Sequence, residues 1–395
     1  MEIRLVCKQY PADDTHMKAS NMTTSIFPQI KKLAATALMT AAVVAPVTHA
    51  EEAVLNFYNW SDYIGEETIA NFEKEFGIKV NYDVYDSNEA LEGKLLAGNT
   101  GFDLVVPTSN FMALQIKAGI FRQLDKKQLP NLKNLDPGLM SRLAKKDPGN
   151  QYGVPYLWGT TGLGYNPALV AEALGEDTPI DSWAVVFEPE NMKKLAKCGV
   201  TFLDSSDEMY PFTMLYKGID PNTKSVKEFK DDSLASNTLR AVRPYVKQFT
   251  SSGYISDLAN GDICVAVGFS GDVFQAAANA EEADNGVEVS YVIPKEGSEV
   301  WFDMLMIPAD AKHPEAAHKF INYLLRPDVI ADITNYVWYA NPTPASKDMV
   351  DEEITSDPAI YPTDDVMDKL FVSDEEDPKI ARVRNRTWSD IKTGR

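Results

Sequence analysis

The sequence is 395 residues long and carries 58 Asp and Glu against 38 Lys and Arg, for a formal net charge of −20. A surface this acidic repels nucleic acid and anionic lipid and attracts cations, which argues against a nucleic-acid partner. Three Cys and four His in the whole chain leave little material for a metal centre.

In chain order the first feature is a leader. Lys31 and Lys32 precede an apolar stretch, Leu33 to Val47, and then Thr48-His49-Ala50. A basic region, an apolar core and a small residue before the cut make a secretory signal peptide over residues 1–50, cleaved after Ala50. The apolar run is too short to span a bilayer, and the following EEA is no stop-transfer sequence. Residues ahead of about Met17 or Met22 read as surplus to the start. Cleavage removes Arg4, Lys8, Lys18, Lys31 and Lys32 against Glu2, Asp13 and Asp14, so residues 51–395 are more acidic still. It also removes Cys7, and the even pair Cys198 and Cys264 in an oxidising compartment reads as a disulfide. The retained histidines, His313 and His318, are five apart and face different sides of a helix, so no metal pair is expected.

The exported part has the length of two lobes with two cores. LNFYNW from Leu55 reads as a strand, and EETIANFEKEFG as an amphipathic helix with Ile69, Phe72 and Phe76 inward, closed by Gly77. IKVNYDV is a second strand. Asp86 followed by Glu89 suggests a capping box for a helix that buries Leu91, Leu95 and Leu96. FDLVVP is a continuous apolar strand, as expected where helices cover both faces. This βαβαβ series predicts an α/β fold with an open parallel sheet, whose ligands bind beyond the carboxyl ends of the strands. Those ends carry Asn59-Trp60-Ser61-Asp62-Tyr63 and Pro107-Thr108-Ser109. Farther on, a Pro- and Asp-rich insert spans about 204–236, and DICVAVGF is a buried strand after the Asn260-Gly261 turn. PEAAHKFINYLLRP is a helix with Phe320, Ile321, Leu324 and Leu325 as its stripe. Residues 346–378 are acidic and Pro-punctuated. KIARVRNRTWSDI closes the chain as a basic amphipathic helix that packs Ile380, Val383 and Trp388 on the acidic body.

Enzyme templates fit poorly. Gly268-Phe-Ser270-Gly271-Asp272 resembles a nucleophile elbow, but its last Gly is replaced and no His is placed to act as base. Gly159-Thr-Thr-Gly162-Leu-Gly164 has neither the G-x-G-x-x-G order nor a P-loop Lys, and reads as a tight turn into a strand. A carboxylate pair acting as acid and base on a sugar remains open. More informative are aromatic residues set beside carboxylates near strand ends: Trp60-Ser-Asp62-Tyr63, Phe269-Ser-Gly-Asp272, Trp301-Phe-Asp303 and Trp338-Tyr339. Together they suit a ligand with cationic ends and an apolar middle. Carboxylates pair with ammonium groups by charge-assisted hydrogen bonds, and aromatic faces cover methylenes and add about 0.5–2 kcal/mol per cation–π contact.

Several long blocks in order carry a resemblance: NFYNWSDYI, YDSNEALEGKLLAG, GFDLVVP, PYLWGTTGLGYN, DLANGDICVAVG, IPKEG, NYLLRPDV and DPKIARVR. Over nearly all of residues 54–395 the chain resembles the periplasmic putrescine/spermidine-binding proteins of bacterial polyamine ABC transporters, the putrescine-receptor branch in particular. The resemblance implies a type II-like fold with a ligand cleft between two α/β lobes. Residues 51–158 with 303–345 would form the N-terminal lobe, and 159–302 with 346–395 the C-terminal lobe. It implies a periplasmic monomer without catalysis or cofactor, closing on a polyamine and delivering it to a membrane permease. The contacts it implies are Trp60, Ser61, Asp62, Tyr63, Thr108, Glu208, Phe269, Asp272, Trp301, Asp303 and Tyr339. Asp303 with Ser61 would hold one ammonium, and Glu208 with Asp272 the other or its bridging water, with the aromatics boxing the chain between. Thr108 stands where that branch has Ser, Phe269 where it has Trp, and Trp301 where it has Phe, which leaves putrescine against spermidine open. The alternatives are a secreted carboxylate-dependent hydrolase and a receptor for another solute such as iron, an anion or a sugar.

Overall fold

Among the described residues nine strands follow in chain order: β1 (Val54–Trp60), β2 (Lys79–Tyr85), β3 (Leu104–Val105), β4 (Gly153–Tyr165), β5 (Val200–Phe202), β6 (Gln248–Phe249), β7 (Val265–Phe269), β8 (Ser290–Val292) and β9 (Val300–Met306). The computed structural model describes residues 53–375 and 377–394, and the predicted secretory leader lies outside them. The strands join in the order β2-β1-β3-β9-β4-β7-β5-β6, with β8 also on β4. β1 is parallel to β2 and to β3, as the βαβαβ reading requires. The sheet is nevertheless mixed, because β9 enters between β3 and β4 and runs antiparallel to both.

β4 is the pivot of the architecture. Thirteen residues at about 3.3 Å each make it some 40 Å long, enough to serve two sheets. Its first part, Gly153–Thr160, pairs with β9, and its second, Thr161–Tyr165, pairs with β7. The glycine run 159–164 therefore lies inside a strand, not in the predicted turn. Its glycines admit neighbours: a Cβ on Gly159 would lie 2.8 Å from Ser270 Oγ and 3.0 Å from the Trp301 ring.

Helices cover both faces of the first sheet, which explains its continuous apolar strands. Leu55, Phe57, Leu104 and Val106 pack on one side with Phe320, Ile321 and Leu324, while Tyr58 and Val105 pack on the other with Leu91, Leu95 and Met112. Burying each large side chain contributes about 1.5–3 kcal/mol. The second sheet has its own core around Trp183, Phe202, Phe212, Val265 and Val267, onto which helix Pro378–Thr393 lays Ile380 and Trp388. Cys198 and Cys264 are disulfide-bonded there, with Cα atoms 5.4 Å apart.

Three local expectations need correction. Phe76, at the end of helix Thr68–Phe76, is 37% exposed, since the chain turns away at Gly77 with φ 64°. Leu96 is 64% exposed because it sits a hundred degrees round the helix from Leu95. Helix Asn88–Ala97 is capped by Ser87, whose Oγ accepts from Ala90 N, and not by Asp86.

Candidate ligand-binding site

Where the two sheets meet on β4, the described residues line a partly open cleft. Trp60, at the end of β1, packs at a tilt on Tyr85 (4.7 Å between ring centroids), and its Nε1 donates to Val106 O at 2.9 Å. Ser61 N donates to Tyr85 O at 2.9 Å. Tyr63 is wedged edge-on between Tyr156 and Tyr339. Thr108 caps helix Ser109–Lys117 and donates from Oγ1 to Asp303 Oδ1 at 2.7 Å, while Asn88 Nδ2 donates to the same hydroxyl at 2.9 Å. Asp303 is 3% exposed on β9. Burial pushes its carboxyl up to about 7, and the Thr108 and Tyr63 hydroxyls oppose that rise. The buried Tyr63 hydroxyl makes no hydrogen bond of ordinary geometry among the described residues, so this interaction is the weaker of the two.

A second carboxylate comes from the other sheet. Asp272, in the first turn of helix Ser270–Glu282, accepts from Tyr254 Oη at 2.7 Å and from Tyr339 Oη at 2.5 Å. Burial raises it to about 6, and these two hydroxyls hold it down. Tyr339 belongs to the core of the first sheet and Tyr254 to that of the second, so Asp272 is gripped from both. The glycines of the elbow-like GFSGD segment make this possible. A Cβ on Gly271 would fall 2.4 Å from the Tyr339 ring, and one on Gly268 2.6 Å from Tyr254. The glycines thus admit tyrosine rings.

Glu208, in the first turn of helix Ser206–Tyr216, accepts from Thr161 Oγ1 at 3.1 Å. Burial and then repulsion from Glu299 and Asp207 push it well above the ordinary carboxylate range. Phe269 and Trp301 meet edge to face at 5.7 Å, and Trp301 reaches Tyr339 at 5.5 Å. Ten of the eleven residues expected from the sequence thus line one cleft. Asp62 does not: it is exposed, with φ 53°, and its carbonyl accepts from Gln275 Nε2. The cleft also takes in Tyr85, Asp86, Asn88, Ser251 and Glu299, which sequence reasoning missed. For Glu299 a signal existed, since strand alternation places it on the same face as Trp301 and Asp303.

Residues 67–363 match the family model of bacterial extracellular solute-binding proteins. The chain belongs to that family. Among curated relatives, this binding protein is 52% identical to the putrescine-binding periplasmic protein PotF of Escherichia coli, over 92% of its own length and 97% of the relative's. It is 51% identical to the putrescine-binding periplasmic protein SpuD of Pseudomonas aeruginosa, over 91% and 97%. Among solved structures it resembles the spermidine/putrescine ABC transporter substrate-binding protein PotD of Streptococcus pneumoniae, with a TM-score of 0.68, 27% identity and coverage of 87% and 99%. The fold is the two-lobe, type II α/β arrangement with the cleft between lobes.

Proposed function

We propose that the chain is a periplasmic polyamine receptor that binds putrescine or spermidine and passes it to an ABC permease. One observation carries this reading: the cleft is lined by five carboxylic acids (Asp86, Glu208, Asp272, Glu299 and Asp303) and six aromatic rings, with no basic side chain among its described lining. An anion finds no partner there, whereas a flexible cation with methylenes finds both charge and faces.

Asp303, with Ser61 beside it, takes one ammonium, and Asp272 with Glu208 takes another. Trp60, Tyr63, Phe269, Trp301 and Tyr339 enclose the methylenes. In this reading the first lobe would run to the crossing of β4 between Thr160 and Thr161 and resume near Val300. Bonds from Tyr339 to Asp272 and from Gln275 Nε2 to Val337 O (3.2 Å) favour the closed form. Ligand contacts from both lobes add to that preference. The role is binding and not hydrolysis. Isothermal titration with putrescine, cadaverine, spermidine and spermine should give saturable, reversible binding. No binding to any of them, or turnover of an oligosaccharide, would overturn the reading.

A further inference from the structure

β9 presents its residues alternately to the cleft and to the core. Asp303 and Trp301 face the cleft, and one step farther the same face carries Glu299, in a bridge with Phe371. All three are nearly buried, at 3%, 6% and 3% exposure. Thr161 ties this end together. Its N–H donates to Glu299 O at 3.2 Å, its Oγ1 donates to Glu208 Oε2, and the same Oγ1 accepts from Trp301 Nε1 at 3.2 Å. Thr161 thus holds the Glu208 carboxyl near the Glu299 backbone, both residues line the cleft, and the Glu299 carboxyl is near enough to repel that of Glu208. The Glu299 carboxyl takes a hydrogen bond from Ser373, is repelled by Asp207 and is partly offset by Lys146. Lys146 also donates to Ser373 O at 2.5 Å, so its charge is shared.

Length and charge both exceed what a diamine needs. Four residues of strand separate the Asp303 and Glu299 backbones by about 13 Å. Five bonds between the nitrogens of putrescine span only about 6 Å when extended, while the nine bonds between the outer nitrogens of spermidine span about 11 Å. A diamine whose ammonium groups meet Asp303 and the Asp272–Glu208 pair brings no third charge to Glu299, whose repulsion of Glu208 then stays unanswered.

We propose that Glu299 is a specificity-determining ligand carboxylate: with Glu208 it forms a further anionic end to the cleft that takes a third cationic centre, so the preferred ligand is a triamine. This rests on the polyamine reading of the cleft. Phe269 is compatible with it, as the smaller ring beside Asp272 leaves room for the longer chain.

The test is isothermal titration of the mature chain, wild type and Glu299→Gln, with putrescine and with spermidine at constant salt. Wild type should bind spermidine about tenfold tighter than putrescine, and Glu299→Gln should lose about tenfold for spermidine but less than about threefold for putrescine. Parallel losses for both ligands would mean that Glu299 only anchors the Ser373 segment, and would overturn the proposal. A wild type that prefers putrescine would do the same. Failure of the wild type to bind either amine overturns the polyamine reading itself and is thereby distinguishable. Should the variant not fold, wild type is titrated with spermidine acetylated at either end, which removes one charge from the ligand. At least one acetylated form should bind about tenfold more weakly than spermidine. Both acetylated forms binding as tightly as spermidine itself would overturn the proposal.

Discussion

Replacing Asp303 by Asn should abolish most ligand binding and yet stabilise the empty protein. Asn keeps the acceptor that Thr108 Oγ1 uses at 2.7 Å, so the local geometry survives and only the charge is lost. In the complex a nearly buried ammonium then lacks its counter-charge, at a cost of about 2–5 kcal/mol, or roughly thirtyfold to several thousandfold in Kd. The effect on the unliganded fold has the opposite sign. A carboxyl raised to about 7 in the folded state contributes stability that is present below its unfolded range and lost as pH rises through that value. At about pH 8 the wild type holds an ionised, buried Asp303 and the variant does not, so the variant should melt higher, with the gap closing towards about pH 5. The comparison is Asp62→Asn. Asp62 is exposed and outside the cleft lining, and Asn tolerates its φ of 53° as well as Asp does. Its loss should stay below about threefold. Calorimetric titration reads the affinities, and thermal melts at two pH values read the stabilities. Equal small losses at both positions, or a destabilised empty Asp303→Asn, would refute the assignment of Asp303 as the principal anchor.

Phe269→Trp should shift preference towards putrescine, since the larger ring refills space beside Asp272; an unchanged spermidine-to-putrescine ratio would mean that Trp301, 5.7 Å away, already sets the length. Free-thiol titration of denatured, unreduced protein should find no reactive Cys, and reduction should lower the melting temperature, the 66-residue loop being worth about 4 kcal/mol at most by chain entropy. The cleft as a whole should be proton-linked. Asp272 is raised to about 6 and Asp303 and Glu299 to about 7, chiefly by burial, so the empty closed form gains stability as pH falls through that window. A cationic ligand needs the ionised carboxylates, so affinity should fall over the same range, with proton release measurable in buffers of different ionisation enthalpy. Affinity independent of pH between about 5 and 8 would refute this.

Periodicity, capping and cysteine arithmetic are local or pairwise properties, and these were legible. The strands at 54–60 and 265–269, the stripe of Phe320, Ile321 and Leu324, and the Cys198–Cys264 bond follow from spacing and compartment. The aromatic–carboxylate pairs at Asp272 and Asp303 were visible because each sits beside its ring in the chain. What decides their chemistry comes from distant segments. Thr161 on β4 meets Glu208 on helix Ser206–Tyr216, and Tyr254 and Tyr339 converge on Asp272 across the two cores. Such pairings depend on strand order, and the antiparallel entry of β9 between β3 and β4 has no local signal, because nothing in a strand's own residues names its neighbour. Glu299 lies between these cases: alternation along β9 could have placed it beside Asp303, but only the third dimension sets it against Glu208. Asp62 is the converse. Its neighbours in sequence belong to the cleft, but Asp62 itself is exposed and absent from the cleft lining.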